Sequence, residues 1–294
     1  MSATVAQWVE GARLRTLPAA VSPVLVGTGA AAAVGAADLR LAVLALVVAL
    51  ALQVGVNYAN DYSDGVLGTD ADRVGPFRLV GSGAAEPQTV RRAAFLAFAV
   101  AALAGLVIVI VAGRWWLLAV GALAVAAAWF YTGGTRPYGY RGLGEVSVFI
   151  FFGLVAVVGT TYVQVGRITA SAVLCAVAIG LLACALMVVN NLRDAPTDAE
   201  AGKRTLAVFL GERRTRLLYA ALITVPYLLV ILLALAGRPW AALAVLSAPL
   251  AVRSVRPVLD GANGRDLISV LRDTGLTELV FAVLLAVGLV IEGL

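Results

Sequence analysis

Residues 39–64 read LRLAVLALVVALALQVGVNYANDYSD, an apolar run that ends in amides and carboxylates. About 20 mostly apolar residues are enough to cross the hydrocarbon core of a bilayer. A second stretch of the same design, residues 170–198, ends in NNLRDAPTD. An apolar helix that carries acids at one end predicts a membrane protein with polar chemistry at that end.

The composition of the whole chain supports the membrane assignment. Of its 294 residues, 62% are hydrophobic and 13% are charged, whereas soluble domains are about 45–50% apolar and about 25% charged. The chain has no histidine, which excludes histidine-based zinc sites, haem ligation and base catalysis. Cys175 and Cys184 both lie in one apolar run, which excludes a disulfide framework. The net charge of +5 is too small to suggest nucleic acid, and we expect no cleaved signal peptide.

Nine apolar runs predict an all-α polytopic membrane protein, with about nine transmembrane helices around a central cavity. The runs lie at 17–35, 39–59, 92–112, 115–132, 145–165, 170–191, 216–236, 239–256 and 276–293. The second and sixth helices both end in Asn followed by spaced Asp. We therefore expect one membrane domain over 1–294, with a pseudo-repeat of helices 1–4 (about 17–132) and 5–8 (about 145–256), followed by helix 9 (about 276–293).

The basic residues predict the orientation of the chain. The N-terminus and the four longer loops, with the helix ends that adjoin them, hold 18 of the 22 basic residues, and the opposite side holds Arg40, Arg114, Arg167 and Arg238. Because basic loops stay in the cytoplasm, we expect a cytoplasmic N-terminus, an outer C-terminus and an active site that faces the cytoplasm from the inner membrane.

The acids at the two helix ends have helical spacing. Asn57, Asp61 and Asp64 fall at i, i+4 and i+7, which places them on one helix face. In the second cluster Asn190, Asp194 and Asp198 fall at i, i+4 and i+8. Because Pro196 intervenes, we expect the helix to break or kink near Asp194 and Asp198 to lie on a loop.

These clusters predict a site for Mg²⁺ and a diphosphate. A carboxylate at membrane depth costs about 2.5 kcal/mol or more, and a hard cation offsets that cost. Mg²⁺ binds carboxylates and shares its coordination shell with substrate phosphates. The cations beside the clusters suit phosphate oxygens; they are Arg73, Arg78, Arg193, Lys203 and Arg204. The alternative is that these residues are solvated loop charges that pair with each other, and the same pattern at two helix ends favours the metal and diphosphate site over it.

Several ordered motifs resemble the UbiA superfamily of membrane prenyltransferases. They are N-D-x-x-D at 60–64, D-x-x-x-D at 194–198, and the segments NDYSDGVLGTD (60–70), RVGPFRLV (73–80), YTGGTRPYGYRGLGE (131–145) and AGKRTLAV (201–208). Within the family, they resemble the branch that acts on 1,4-dihydroxy-2-naphthoate, over essentially the whole chain. Gly68 and Gly202 stand where some members have a further Asp, so Asp70, Asp72 and Glu200 are less securely placed.

The resemblance implies a reaction and roles for its residues. A polyprenyl diphosphate would donate its prenyl group to 1,4-dihydroxy-2-naphthoate with Mg²⁺, losing CO₂ and diphosphate and giving demethylmenaquinone. Asp61, Asp64, Asp194 and Asp198 would bind the metal and, with Lys203 and Glu145, carry catalysis. Asn60 would join Arg73, Arg78, Arg193, Lys203 and Arg204 at the diphosphate. The acceptor would meet Asn57, Tyr140, Arg141, Glu145 and Asn190. Membrane lipid surrounds the chain, and no obligate protein partner is inferred.

Three other functions fit parts of the pattern. Intramembrane acids also occur in ion-coupled transporters, although there they lie nearer the midplane of the bilayer. CDP-alcohol phosphotransferases use Asp and Mg²⁺ on membrane helices, but the A-R expected after Asp64-Gly65 is missing. Within the superfamily, the acceptor could instead be another aromatic such as 4-hydroxybenzoate.

Overall fold

The computed structural model describes residues 3–68 and 77–294, which form helices joined by turns and short loops. A short helix, α1 (Val5–Gly11), precedes ten others among the described residues, apart from three short 3₁₀ turns at Leu14–Thr16, Tyr138–Arg141 and Gly264–Asp266. They are α2 (Leu17–Ala32), α3 (Leu39–Leu67), α4 (Pro87–Ala112), α5 (Leu117–Phe130), α6 (Gly144–Val165), α7 (Ala170–Glu200), α8 (Leu206–Leu210), α9 (Glu212–Leu235), α10 (Pro239–Leu259) and α11 (Leu267–Glu292). Helix α6 is π-wound over Phe149–Val158, and α10 begins as a 3₁₀ helix over Pro239–Ser247. The all-α prediction is confirmed.

Seven helices among the described residues are long and apolar enough to cross a membrane: α3, α4, α6, α7, α9, α10 and α11. Helix α5 has 14 residues and rises about 21 Å, less than the roughly 30 Å of a bilayer core. Helix α2 has 16 residues. The expectation of about nine spans counts both of these shorter helices, so it stays a prediction, as does the orientation of the termini.

Helices α3 and α7 extend beyond their expected ends, so the acids that follow the apolar runs are part of the helices. Helix α3 continues to Leu67 and ends at Gly68, whose φ of 72° is left-handed. Helix α7 continues through Pro196 to Glu200, so the expected break is wrong and Asp198 is helical. Pro196 removes one backbone hydrogen bond of the helix. The Thr197 hydroxyl donates to the Asp194 carbonyl at 2.9 Å, which supplies a local bond at that turn.

The core of the molecule lies around α7. In the most apolar 18-residue stretch of α7, 67% of the residues are buried, whereas in the corresponding stretch of α3 only 33% are buried. Helix α7 packs with α9 and α11, which contribute the fully buried Tyr219, Phe281 and Leu285. Helices α3 to α6 are less enclosed, and they leave room for a cavity.

Helix α3 begins at an acid on the side away from its acidic end. The Asp38 carboxylate accepts hydrogen bonds from the backbone N–H groups of Arg40 at 2.8 Å and Leu41 at 3.4 Å. Hydrogen bonding from the Arg40 side chain holds the pKa of Asp38 at about 2. Asp38 is therefore an ionised N-cap, which suits the positive end of the helix dipole.

We predict that Gly288→Ala destabilises the protein. A Cβ at Gly288 would overlap the carbonyl oxygen of Trp240, where α11 crosses the start of α10. Overpacking of this kind costs about 1–3 kcal/mol, so the melting temperature in detergent should fall. Gly105→Ala in α4 is the control, because a Cβ there meets nothing within 4 Å. Equal melting temperatures for the two variants would contradict the prediction.

Candidate active site

Helices α2 to α7 form most of the wall of a cavity of about 1520 Å³. Most of that wall is apolar, with side chains such as Leu106, Val120 and Phe151 from α4, α5 and α6. The polar and charged residues of the wall include Asn60, Asp64, Arg78, Arg193, Asp198 and Lys203. The cavity therefore suits a molecule with an anionic end and a long apolar part.

Asp64, in the first predicted cluster, is approached by side chains from three other parts of the chain. The Tyr140 hydroxyl donates to Asp64 Oδ1, and Lys203 Nζ lies 3.4 Å from the same oxygen. Arg78 Nη2 lies 3.5 Å from Asp64 Oδ2. Lys203 Nζ also lies 4.4 Å from the centre of the Tyr140 ring, a cation–π distance. Residues from three separate stretches of the chain are thus brought to one carboxylate.

The turn after α7 holds Lys203 in place. Its backbone N–H donates to the Asp198 carbonyl at 2.8 Å, and the next N–H, of Arg204, donates to the Tyr140 carbonyl at 2.9 Å. Gly202 permits this turn with a φ of 73°. Asp198 and Lys203 are both buried and both line the cavity.

Asp194 is engaged by its neighbour in the sequence. Arg193 Nε and Nη2 lie 2.7 and 2.8 Å from the two carboxylate oxygens of Asp194, and Nη2 also donates to Asn190 Oδ1 at 2.9 Å. The Arg193 and Asp194 side chains are only 4% and 3% exposed. This charge pair is therefore shielded from water, where loss of one member is costly.

The remaining residues of the first cluster have partners outside the acids. The Asp61 carboxylate accepts the backbone N–H groups of Leu79 at 2.7 Å and Val80 at 3.0 Å. Asn60 Oδ1 accepts from the Thr132 hydroxyl at 2.7 Å. Of the predicted residues, Arg73 lies outside the described part of the chain, as do Asp70 and Asp72.

The residues predicted for the acceptor are divided between two places. Glu145 is buried at the start of α6 and accepts from Asn191 Nδ2 at 2.8 Å; Asn191 lines the cavity. Arg141 and Arg204 are exposed and border a second concavity of about 390 Å³ with Arg136. Tyr140 lines both spaces, so Arg141 and Arg204 lie beside the cavity and not in it.

Sequence reasoning missed the N-terminal wall of the site. Arg13 lines the cavity with a left-handed φ of 53°. Its turn is held by Thr16, whose hydroxyl donates to the Arg13 carbonyl at 2.9 Å and accepts from Gln53 Nε2 at 2.8 Å and Asn57 Nδ2 at 3.1 Å. Gln53 lies four residues before Asn57, on the same face of α3. A polar residue inside an otherwise apolar helix indicates a polar partner, and here that partner is Thr16.

Aromatic side chains lie near the charged end of the cavity. Trp129, Tyr131 and Tyr138 line it, and the Tyr131 and Tyr138 rings meet edge-to-face at 5.5 Å. The Tyr138 hydroxyl donates to the Ala127 carbonyl at 2.8 Å. Burial raises the pKa of Tyr138, so it stays neutral and presents an uncharged ring.

The oxygen donors at the cavity suit a metal that arrives with an anion. Among residues 3–68 and 77–294, no group of three or more His, Cys, Asp or Glu side chains is arranged to hold an ion by itself. Asp64 and Asp198, with the amides of Asn60 and Asn190, line the cavity. Mg²⁺ commonly uses one or two carboxylates and completes its shell with phosphate and water, so this donor set fits it.

Sequence comparison finds relatives that span nearly the whole chain. A model of the UbiA prenyltransferase family matches residues 20–270. A Mycobacterium tuberculosis protein named 1,4-dihydroxy-2-naphthoate octaprenyltransferase is 56% identical, covering 97% of this chain and 97% of its own length. An Escherichia coli protein of the same name is 41% identical, covering 86% of this chain and 84% of its own length.

Solved structures share the fold. A UbiA homolog from Aeropyrum pernix K1 matches with a TM-score of 0.71 and 17% identity, over 94% of this chain and 98% of that one. A UbiA homolog from Archaeoglobus fulgidus, bound to GPP and Mg²⁺, matches with a TM-score of 0.66 and 14% identity, over 95% of this chain and 99% of that one.

We predict that Arg193→Met lowers the free energy of unfolding by about 3–5 kcal/mol, because it breaks the buried ion pair between Arg193 and Asp194. The double variant Arg193→Met/Asp194→Leu should regain most of that loss, since no buried charge of the pair remains. Melting temperatures in detergent measure both effects. If the loss in the double variant equals the sum of the losses in Arg193→Met and Asp194→Leu alone, the two residues are not coupled.

Proposed function

The chain belongs to the UbiA prenyltransferase family, and we propose that it transfers a polyprenyl group from a polyprenyl diphosphate to 1,4-dihydroxy-2-naphthoate. The observation that carries this proposal is that Asp64, Lys203 and Arg78 line the same cavity as a largely apolar wall. The relatives named for this activity support the choice of acceptor.

The charged end would bind the diphosphate. Lys203 and Arg78 would each donate to phosphate oxygens, and Asp64 and Asp198 would hold Mg²⁺ against them. The metal ion would supply neutralisation of the charge that develops on the leaving diphosphate. Arg141 and Arg204, beyond Tyr140, would add positive charge that attracts both anionic substrates.

The chain's own residues would then direct the transfer. Lys203 and Arg78 would stabilise the departing diphosphate as the allylic C–O bond breaks. Trp129 and Tyr131 would exclude water and face the allylic cation. The ring carbon that carries the naphthoate carboxylate would attack, CO₂ would leave, and the prenylated skeleton of demethylmenaquinone would result. Glu145, aligned by Asn191, would accept a hydrogen bond from an acceptor hydroxyl.

The membrane setting follows from the same proposal. Asp64 and Asp198 come from the ends of α3 and α7, which are corresponding helices of the two proposed halves of the chain. We place these ends at the cytoplasmic face of the inner membrane, because the adjoining loops carry most of the basic residues. With α2 and α5 counted, nine helices would put the N-terminus inside and the C-terminus outside.

We expect purified protein in detergent to release CO₂ and form a prenylated naphthoquinone from a polyprenyl diphosphate, 1,4-dihydroxy-2-naphthoate and Mg²⁺. EDTA should stop turnover. Asp64→Asn and Asp198→Asn should each lower kcat by at least about a hundredfold, because each removes a metal-binding charge, in protein that still unfolds cooperatively above the assay temperature. Turnover with 4-hydroxybenzoate and none with the naphthoate would contradict the proposed acceptor.

We expect Gly121→Trp to shorten the donor that the cavity accepts. Gly121 lies on α5 in the wall, and a Cβ there meets nothing within 4 Å, so a ring would project into open space. Turnover with a long polyprenyl diphosphate should fall more than turnover with geranyl diphosphate. Leu123→Trp is the matched control, because Leu123 is on the same helix and 66% exposed. If turnover falls equally with the long donor and with geranyl diphosphate, the prenyl tail does not extend past Gly121.

A further inference from the structure

Residues 77–85, here called the strap, run beside the charged end of the cavity. Phe77 and Arg78 line the cavity, while Leu79, the next residue, is fully buried. The strap is folded on itself by backbone bonds, from Gly83 N–H to the Val80 carbonyl at 2.9 Å and from Ala85 N–H to the Leu79 carbonyl at 3.0 Å. Because the Ser82 N–H also donates to the Arg78 carbonyl at 3.1 Å, Arg78 lies at the start of this compact turn.

The strap is bonded to α3 through one carboxylate. Asp61 Oδ2 accepts the N–H of Leu79 at 2.7 Å, and Asp61 Oδ1 accepts the N–H of Val80 at 3.0 Å. Asp61 is 1% exposed, so these bonds form away from water. Both oxygens of this carboxylate are directed to backbone donors of the strap.

Two glycines show how closely the strap fits. A Cβ at Gly11 of α1 would lie 2.8 Å from Leu79 Cδ1, and a Cβ at Gly65 of α3 would overlap the side chain of Val80. The strap therefore occupies a slot between α1 and α3 whose width depends on both glycines. Packing and hydrogen bonding specify the same position.

Asp61 and Asp64 have different kinds of partner, although they lie three residues apart on α3. Asp64 meets the side chains of Tyr140, Lys203 and Arg78 at the cavity. A ligand can displace such side chains by rotating them. The backbone donors that meet Asp61 move only if the strap moves.

We propose that Asp61 is a positioning residue and not a ligand of the metal: its carboxylate docks the strap and so holds Arg78 within reach of Asp64. The docking itself is independent of any substrate. The effect on turnover rests on the proposed function, in which Arg78 binds the donor diphosphate.

Hydrogen exchange tests the docking directly. The full chain in detergent, with EDTA and no substrate, should exchange the amides of Leu79 and Val80 about ten- to a hundredfold faster in Asp61→Ala, read by mass spectrometry on peptides that cover 77–85. Asp64→Asn, one turn away, is the matched control and should leave these amides protected. Gly65→Ala should also expose Val80 while keeping the carboxylate, so the proposal stays testable if Asp61→Ala folds poorly. Unchanged exchange in folded Asp61→Ala or Asp61→Asn overturns it.

Kinetics separate positioning from metal binding. Asp61→Ala and Arg78→Ala should raise the KM for the donor by similar factors, and the double variant should match Arg78→Ala alone. The Mg²⁺ concentration for half-maximal activity should stay that of the parent protein in Asp61→Ala. A raised Mg²⁺ requirement, or additive effects of the two substitutions, overturns the proposal. Absence of turnover in the parent protein would refute the proposed function, and the exchange result would still decide the role of Asp61.

Discussion

The arrangement of the site depends on the ion pair between Asp64 at the end of α3 and Lys203 just after α7, 139 residues apart in the sequence. Both side chains are buried, and a buried charge that loses its partner is strongly destabilising. The pair therefore fixes how the ends of the two helices meet. Tyr140 and Arg78 join the same carboxylate, so the loops that carry them are held beside the cavity as well.

Much of this arrangement could be predicted from the sequence. Apolar runs that end in acids indicate membrane helices with polar ends, and in the structure Lys203, just after α7, lies 3.4 Å from Asp64 near the end of α3. Spacing could not show which acid faces the cavity. Asp61 and Asp64 are three residues apart and point about 60° away from each other around the helix. That angle is enough for Asp61 to meet the strap while Asp64 meets the cavity, and only the path of the backbone at Leu79 and Val80 reveals it.

The continuation of α7 past Pro196 and the position of Arg13 could not be predicted from local sequence patterns. Proline is expected to end a helix because it lacks an N–H, yet α7 continues past Pro196, where the Thr197 hydroxyl bonds the Asp194 carbonyl and tertiary packing outweighs propensity. Arg13 was counted among the cytoplasmic charges that orient the chain. Its place in the cavity wall depends on hydrogen bonds from Gln53 and Asn57 to Thr16, which are contacts between distant parts of the sequence.

The apolar wall of the cavity has a thermodynamic consequence for the proposed donor. A prenyl tail that leaves the bilayer for this cavity exchanges one hydrocarbon environment for another, since lipid chains are about as apolar as leucine. The transfer of the tail therefore contributes little to affinity, and recognition of the donor rests on the few charged groups around Asp64 and Lys203. The protein would then sample donors in proportion to their mole fraction in the membrane, so the lipid composition of the cell, together with the length of the cavity, would determine which isoprenologue becomes the product.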